Sequence, residues 1–539
     1  MRFSQSELEN VIQSIVFTKK MSNLMFHEDE VSFDIFFDFE GLSEAIEFTV
    51  KIKSVYPLRI GGGESISFYL KDEQYKKYSH VMLNNAVCFH NQHNHIFEEK
   101  IRQDFSAIQQ WIIRYIIDKE KDEHYEHLIK GNYSHNNEYF SFQFTEVSEN
   151  FIKNELGTVS LLHLRDSRYE DKNIHNYLVQ GFLNNLTEKK CKWSPAYLNG
   201  NNNLTGVYLF IEESPAKYDR FSFSNWLEFQ NIFTQEILSE LWQILFSLKT
   251  DFVPFFIGFY TKDEQIHWQV AIVDYPISFF KISNEGDYKL QDQKINWVIS
   301  ENSSYEYFFG RGAFSPKLAD KKILIIGVGA IGSQVAVTLV RGGCKNIAIT
   351  DYDVKKPENI CRSEYTFSSP YSNKVEELAN LLINISPFIN VEYYYHYWTE
   401  LIKDDALFEN EWLNTLDEFD YIFDCSTDDD LMFVLDKLDL KGKLFNLSIT
   451  NHANELVCGI SPNSYYFIQH QFKSILQNDV TNMYNPIGCW NPTFKASYND
   501  ISILVQMALK HIHKMIIENS YSHFVIHYDE QYNLEIKKF

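Results

Sequence analysis

Eight residues between positions 327 and 374 have the types and spacing to do chemistry together: Gly327-x-Gly329-x-x-Gly332, then Asp351, Asp353, Asn359, Arg362 and Lys374. A glycine loop that follows a strand and opens a helix lets the backbone approach a phosphate, and the helix N-terminus supplies positive potential. The bland alternative is a structural strand-to-helix turn. An acid at the end of the next strand takes ribose hydroxyls, which is all that a nicotinamide site requires. Asn359, Arg362 and Lys374 are then surplus. They are the types that hold a triphosphate and stabilise departing pyrophosphate. Cys88 and Cys489 flank this register, one in each half of the chain. A thiol on each side suggests an acyl group handed from adenylate to thiol to thiol. A free thiol, with a pKa of about 8.5, is only a few per cent ionised at neutral pH. The glycine beside Cys489 and a nearby helix terminus would improve that; the bland reading is a buried structural thiol.

The elements around these residues predict an α/β protein. From 301 to 539 strands and helices alternate: strands Lys322–Ile326, Asn346–Thr350 and Tyr421–Asp424, helices Gly332–Arg341 and Lys374–Ile385. That alternation predicts a doubly wound parallel sheet with ligands at the strand C-termini. Cys489 lies in a loop before a helix at Ile501–Ile517, and Cys458 in an apolar strand where it reads as core, as do Cys344 and Cys425. Residues 1–125 predict an α+β domain: a helix, a meander of strands Val31–Phe39, Ile46–Lys53 and Ile66–Leu70, and a helix with Ile101, Phe105, Ile108 and Ile112 on one face. Residues 126–300 predict an α+β middle domain, with strands Gly206–Glu212, Phe252–Tyr260 and His267–Asp274 and a helix over Ser224–Leu248. Its basic run Lys189-Lys-Cys191-Lys192 reads as a solvated face.

The register Asp351-Tyr-Asp353-x5-Asn359-x-x-Arg362, followed by Lys374, resembles the adenylation domain of ubiquitin-activating enzymes and their bacterial ThiF/MoeB relatives. The resemblance implies a doubly wound adenylation domain over 301–539 that binds ATP and Mg2+. It implies that Asp351 binds ribose, with Asp353 beside it, and that Asn359, Arg362 and Lys374 hold the phosphates. It places magnesium on an Asp after a buried strand, here Asp424-Cys-Ser-Thr-Asp428. This run is one residue longer than the family's Asp-x-Thr-Asp; Asp428 is the first choice and Asp424 the second. Arg311 resembles the family's arginine finger, which acts across a homodimer; otherwise it is a surface Arg in a Gly-Arg-Gly loop. Cys489 would carry the activating thioester. The family's paired C-x-x-C zinc knuckles are absent from the sequence.

The N-terminal segment has its own resemblance. Tyr56-Pro57 after a meander, then His80, then Asn85-Ala-Val-Cys88-Phe89, then an amphipathic helix with Trp111, resembles a bacterial-type ubiquitin-conjugating domain. Cys88 would be its acceptor. The usual His-Pro-Asn is missing, so Asn84 or Asn85 would serve the oxyanion. Cys88, His90, His93 and His95 can alternatively be read as zinc ligands or as a surface-loop group. Conjugating domain first and activating domain last resembles the fused enzyme of type II cyclic-oligonucleotide antiphage (CBASS) operons. That implies a transferase whose substrate is the C-terminus of a cyclic-nucleotide-synthesising nucleotidyltransferase (CD-NTase), passed through two thioesters to an amine on a target protein. The alternatives are an activating enzyme for a separate bacterial ubiquitin-like protein, a nucleotide-binding scaffold without transfer activity and, more remotely, a NAD-dependent oxidoreductase.

Composition sets the bounds. At 539 residues the chain needs more than one core, and 45% hydrophobic content fits a globular protein. A net charge of −24 argues against nonspecific nucleic-acid binding. Seven scattered cysteines fit free thiols in the cytoplasm better than a disulfide framework. The apolar runs are too short for a membrane span, and the first residues lack a signal peptide's apolar stretch.

Overall fold

The computed structural model describes residues 3–82, 84–89, 91–120, 134–164, 173–199, 204–212, 214, 223–229, 232–248, 250, 252–261, 264–274, 280–282, 287–368, 371–396, 413–476, 496–529 and 531–539. The chain divides into two compact units. One comprises Met1–His135, Ile152–Leu156 and Leu209–Ile299; the other comprises Asn136–Phe151, Gly157–Tyr208 and Ser300–Phe539.

The first unit begins with α1 (Gln5–Gln13), started by a capping box in which Ser4 and Glu7 bond each other's backbone. Then come β1 (Thr18–Phe26), β2 (Glu30–Phe37), β3 (Ile46–Lys53) and β4 (Ile66–Leu70), an antiparallel sheet in that order. Strict alternation in β3 and β4 buries Ile46, Phe48, Val50, Ile52, Ile66, Phe68 and Leu70 on one face. α2 (Phe97–Trp111) lays Ile101, Phe105 and Ile108 into the same core. The Phe105 ring stacks on Phe37 at 5.8 Å and meets Phe68 edge-on at 5.0 Å. A π-helical turn, Ile112–Ile117, follows. The sequence reading missed β1. Its register slips between Lys19 and Ser22 and again between Ser22 and Met25, so no period-two pattern survives in this polar edge strand.

Within the same unit Phe252–Tyr260 and Ile266–Asp274 form a hairpin in full register, and Asn296, Trp297 and Val298 pair with the latter strand. The helix expected over Ser224–Leu248 is in fact a 3₁₀ turn, Trp226–Phe229, and a helix, Gln235–Leu248. Trp226, Phe229 and Phe233 pack as an aromatic cluster with Phe255 and Trp297, and Thr234 Oγ1 caps the helix. Tertiary packing overrides the helical period there.

In the second unit Ile174–Leu183 pairs parallel with Glu138–Phe144 and antiparallel with residues Thr158 to Leu164 and with Glu188–Lys190. Lys189 does not belong to the solvated face expected of its basic run. It is buried, with its ammonium 5.2 Å from the centre of the Phe151 ring.

The remainder of this unit is an eight-stranded sheet: β5 (Lys322–Ile326), β6 (Asn346–Thr350), β7 (Asn390–Tyr394), β8 (Tyr421–Asp424), β9 (Lys443–Thr450), β10 (Glu455–Ile460), β11 (Phe524–Tyr528) and β12 (Leu534–Lys538). Its order is β7-β6-β5-β8-β9-β10-β11-β12. The first five strands are parallel, as expected from the alternation; β10, β11 and β12 extend the sheet antiparallel. Around it run α3 (Ala330–Arg341), α4 (Lys374–Ile385), α5 (Asp429–Lys437), α6 (Ser464–Ile475) and α7 (Tyr498–Glu518). Val335 and Leu339 of α3 share a core with Leu504, Ala508 and Ile512 of α7, while Leu324, Ala348, Leu431 and Leu435 form a second core. The chain runs outward from β5 to β6 and β7, then returns to the other side of β5 with β8. The order therefore reverses between β5 and β8, and the crevice beyond their C-terminal ends is where such sheets bind ligands. Among the described residues no helix is long and apolar enough to cross a membrane.

Three histidines around α7 are built to be neutral. Burial lowers the pKa of His511, His513 and His523 from the usual value. His513 Nε2 accepts the Ser315 N–H at 3.0 Å, and His523 Nδ1 accepts the Ile460 N–H at 3.0 Å. Protonation destroys both bonds. The folded state binds fewer protons than the unfolded one below about pH 6.5, so stability falls as pH drops through that region. The melting temperature of a His513→Gln/His523→Gln variant, whose amide oxygens accept without titrating, is expected to fall less than the wild type's between pH 7.5 and 5.5. Parallel curves would remove these histidines from the pH response.

Candidate functional site

The three glycines after β5 have separate tasks. Gly327 has φ +78°, and a Cβ there would lie 2.5 Å from Ser426 Cα, so the turn after β5 packs against the turn after β8. A Cβ on Gly332 would lie 1.9 Å from the Gly327 carbonyl oxygen, which only a glycine permits. A Cβ on Gly329 would meet nothing within 4 Å, and Gly329 is the N-cap of α3. This open approach to a helix N-terminus is what an anionic ligand needs. Two outcomes should therefore separate. Gly332→Ala is expected to destabilise the unit by roughly 1–3 kcal/mol through overpacking. Gly329→Ala should melt like wild type yet lose at least about tenfold in nucleotide affinity, because the added methyl stands where backbone meets phosphate. Thermal melts and calorimetry of both variants check this; equal affinity in Gly329→Ala would move the ligand elsewhere.

At the end of β6, Asp351 is nearly fully buried. Its Oδ2 accepts the Val328 N–H at 2.9 Å, within the glycine loop, and its Oδ1 accepts the Asp353 N–H at 2.8 Å. Burial raises its carboxyl above the usual range against the opposing pull of Lys374 and the two N–H donors. Lys374, the first residue of α4, is buried as well. Its Nζ lies 2.8 Å from Asp353 Oδ2 and 3.9 Å from Asp351 Oδ2. The structure thus brings Gly327, Asp351, Asp353 and Lys374 into one constellation, and the cation between two carboxylates offsets one of their two negative charges.

Asn359 and Arg362 come from the short helix Pro357–Ile360 and the turn after it. The Lys356 N–H donates to Asn359 Oδ1 at 2.9 Å. The Arg362 carbonyl accepts Gln334 Nε2 of α3 at 3.3 Å, and the Glu364 N–H donates to Ser333 Oγ at 3.3 Å. The segment is therefore stitched to the helix that the glycine loop opens. Sequence reasoning missed three supports. Buried Tyr365 donates its hydroxyl to the Val328 carbonyl at 2.6 Å. Fully buried Lys355 pairs with Glu377 and donates to the Thr366 carbonyl at 2.7 Å. Burial would push Glu377 up, but Lys355 and the Ser372 hydroxyl outweigh it and hold the carboxyl below its usual value. Tyr498, the first residue of α7, donates to Glu364 Oε1 at 2.5 Å. None of these has a local motif; only the folded chain shows them.

The turn after β8 separates the two acids proposed for a metal. Asp424 is fully buried, and burial raises its carboxyl. Its Oδ1 accepts the Ser426 N–H at 3.0 Å and the Ser426 hydroxyl at 2.6 Å, and its Oδ2 accepts Asn446 Nδ2 at 2.7 Å. Asp428 is half-buried and is the N-cap of α5, with Oδ1 accepting the Leu431 N–H at 3.0 Å. Among the described residues no three His, Cys, Asp or Glu side chains cluster as a metal site. A magnesium ion here would take its other ligands from phosphate oxygens and water, as Mg2+ commonly does. Asp428, at the end of the turn against which Gly327 packs, supplies one carboxylate of the kind that requirement allows.

Arg311 is solvent-exposed in the turn after the short helix Tyr305–Phe309. Cys489 lies outside the described residues. Cys344, Cys425 and Cys458 are buried, and Cys361 is exposed beside the Asn359–Arg362 turn. In the other unit Cys88 is half-buried at the end of a narrow loop closed by a bridge between Val81 and Val87. Its N–H donates to the His80 carbonyl at 2.6 Å, and the next ring, Phe89, packs edge-on against Phe68 at 5.5 Å. Asn84 Oδ1 accepts the Ala86 N–H at 3.2 Å, whereas the buried Asn85 Oδ1 has no hydrogen-bond partner among the described residues. His93 and His95 meet edge to face at 4.3 Å; His90 lies outside the described residues. A buried polar network secures the chain on either side. Tyr56 OH donates to Asp104 Oδ2 at 2.8 Å, Lys100 pairs with Asp104 and, at 2.9 Å, with Glu64, and Arg59 bridges Glu64 to the Asn91 carbonyl. Burial raises the Asp104 carboxyl despite Lys100.

Residues 306–437 match the ThiF family. Over 378 residues, 63% of this chain, the sequence is 24% identical to the ATP-dependent ubiquitin transferase-like protein Cap2 of Enterobacter hormaechei, and covers 61% of that protein. It is 33% identical over 76 residues to ubiquitin-like modifier-activating enzyme 5 of Caenorhabditis briggsae, which is 14% of this chain and 18% of that one. The chain thus spans less than two thirds of each relative. A crystal structure of E. coli MccB with ATP aligns with a TM-score of 0.31 and 20% identity, covering 41% of this chain and 64% of that one. The match to the ThiF family is thus confined to 306–437, and the similarity to the ubiquitin transferase-like protein extends well beyond it.

Proposed function

We propose that this chain, built around a ThiF-family domain and similar along much of its length to a fused ubiquitin-transferase-like protein, activates a protein C-terminus with ATP and transfers it to an amine. The observation that carries the reading is the joint placement of an open helix N-terminus at Gly329, a ribose-type acid at Asp351 and a buried cation at Lys374 beyond the ends of β5 and β6.

The chemistry follows in balanced steps. A carboxylate oxygen attacks the α-phosphorus of ATP, the α–β bridging bond breaks, and pyrophosphate leaves with its electron pair. The sulfur of Cys489 then attacks the acyl carbon and AMP leaves. Next the sulfur of Cys88 takes the acyl group and frees Cys489. Finally an amine on the target attacks, the amide forms and Cys88 is released. The role of the residues is orientation and charge neutralisation: Asp351 holds ribose, Asp353 orients Lys374, and Asn359, Arg362 and Lys374 hold phosphates. Asp428 would hold magnesium, which offsets phosphate charge when bound. Arg311 would act on the neighbouring subunit of a homodimer. In this reading 1–125 conjugates, 126–300 connects, 301–539 activates, and the substrate is a CD-NTase C-terminus in antiphage defence.

A second substrate, a separate bacterial ubiquitin-like protein, is favoured by the match to the ubiquitin-like modifier-activating enzyme. Incubation with ATP and each candidate substrate, followed by a nonreducing gel, distinguishes the two by which one forms a thiol-sensitive adduct. The nucleotide itself is tested by calorimetry. ATP with magnesium is expected to bind and NAD is not; tight NAD binding without ATP binding would end the reading.

A further inference from the structure

We infer that Asp424 is a positioning residue rather than a metal ligand: through Ser426 it sets the turn that presents Asp428. The inference rests on the adenylating reading of this crevice. Both Asp424 oxygens are already occupied inside the protein. Oδ1 receives two bonds from Ser426 and Oδ2 receives one from Asn446, whose own Oδ1 accepts the Ser448 hydroxyl at 2.7 Å. Asp424, Asn446 and Ser448 are all buried. Three donors and complete burial leave one lone-pair direction, on Oδ2, and no solvent-exposed face for a cation.

What it offers is rigidity. Ser426 Oγ, having donated its proton to Asp424, accepts the Asp428 N–H at 3.2 Å. Asp428 in turn caps α5 through the Leu431 N–H. The chain of bonds therefore runs from β9 through β8 to the first turn of α5. It holds a turn whose central residue, Thr427, has φ +58°, a conformation a β-branched residue adopts only when its surroundings enforce it. The turn is also the surface against which Gly327 packs: a Cβ on Gly327 would lie 2.5 Å from Ser426 Cα. One anchor thus fixes both the acid and the glycine loop.

The test uses the Asp424–Asn446 pair, because its donor and acceptor can be exchanged. Asp424→Asn sets an amide against an amide. The exchange Asp424→Asn/Asn446→Asp restores one donor and one acceptor but moves the carboxylate onto β9. The full chain is titrated with Mn2+ in the presence of α,β-methylene-ATP, and the free-ion EPR signal gives metal affinity without turnover. Wild type that binds no analogue ends the functional reading before any variant is compared. Otherwise Asp424→Asn is expected to weaken Mn2+ binding by roughly 10–100-fold, the usual effect of losing an outer partner of a ligand, and the exchange to recover most of it. Ser426→Ala, which cuts the relay without touching either acid, should weaken binding in the same direction. Thermal melts confirm folding. Wild-type affinity in folded Asp424→Asn or in Ser426→Ala overturns the inference. So does a folded exchange variant that stays weak, since the carboxylate is then needed at 424 itself. If Asp424→Asn does not fold, the exchange and Ser426→Ala decide by the same criteria.

Discussion

Lys374→Ala should lower ATP–pyrophosphate exchange by about a hundredfold, and Arg362→Ala by a similar factor, since loss of one charged contact to a transition state commonly costs ~3 kcal/mol. The two differ in a second readout. Lys374 is buried between Asp351 and Asp353, so its removal leaves two carboxylates facing each other, one of them already raised by burial. Lys374→Ala is therefore expected to weaken ATP binding and shift the pH dependence of exchange, because Asp351 then takes up a proton at still higher pH. Arg362 is half-buried on a turn, and its truncation should leave that profile in place. Both variants are expected to keep wild-type circular dichroism. Near-normal exchange in both would remove the phosphate assignment.

The second large effect concerns the thiols. Cys489→Ser should retain exchange but abolish charging of Cys88. Cys88→Ser should still form a thioester at Cys489 and yield no amide. Serine is the informative replacement because its oxyester transfers slowly and accumulates as a hydroxylamine-sensitive, thiol-resistant adduct. The expected effect is loss of the final product in each case, read on nonreducing gels with radiolabelled substrate. If Cys489→Ser charges Cys88 at the wild-type rate, the acyl group passes directly from adenylate to Cys88, and Cys489 has no chemical part.

Three of the five parallel strands, Lys322–Ile326, Asn346–Thr350 and Tyr421–Asp424, and the helix Lys374–Ile385 were readable to the residue, whereas Asn390–Tyr394 and Lys443–Thr450 were missed. Short apolar runs bounded by glycine, acid or charge leave little choice of register there. The strands Glu138–Phe144, Glu155–Leu164 and Ile174–Leu183 were not read. The first carries a period-two signal, Phe140, Phe142 and Phe144 around Ser141 and Gln143, that was overlooked; the other two alternate irregularly and pair across a bulge. In the site, the glycines, Asp351 and Lys374 announced themselves by type and spacing. Their supports did not. Lys355 with Glu377, Tyr365 on Val328 and Asn446 on Asp424 join residues 22 to 37 positions apart, and no spacing rule connects them. The positioning role inferred for Asp424, the second choice for the metal behind Asp428, was hidden for the same reason: its partners sit on the neighbouring strand and in its own turn, and a list of acids cannot show which carboxylate already has hydrogen-bond donors.

The buried network of Tyr56, Glu64, Lys100 and Asp104 constrains how the N-terminal unit can change over generations. Lys100 and Asp104 are both without solvent exposure. Losing Lys100 leaves Asp104 with only the uncharged partners Tyr56 and Asn91, an interior charge without a counter-ion and a penalty of about 3–5 kcal/mol, comparable to a domain's whole margin of stability; losing Asp104 leaves Lys100 on Glu64 alone. Replacing both together with apolar residues of similar volume carries no such penalty. The two positions are therefore separated from their apolar alternatives by a valley that single substitutions must cross. Drift at this pair is expected to be rare and concerted, and the segment around Cys88 that the network secures inherits that immobility.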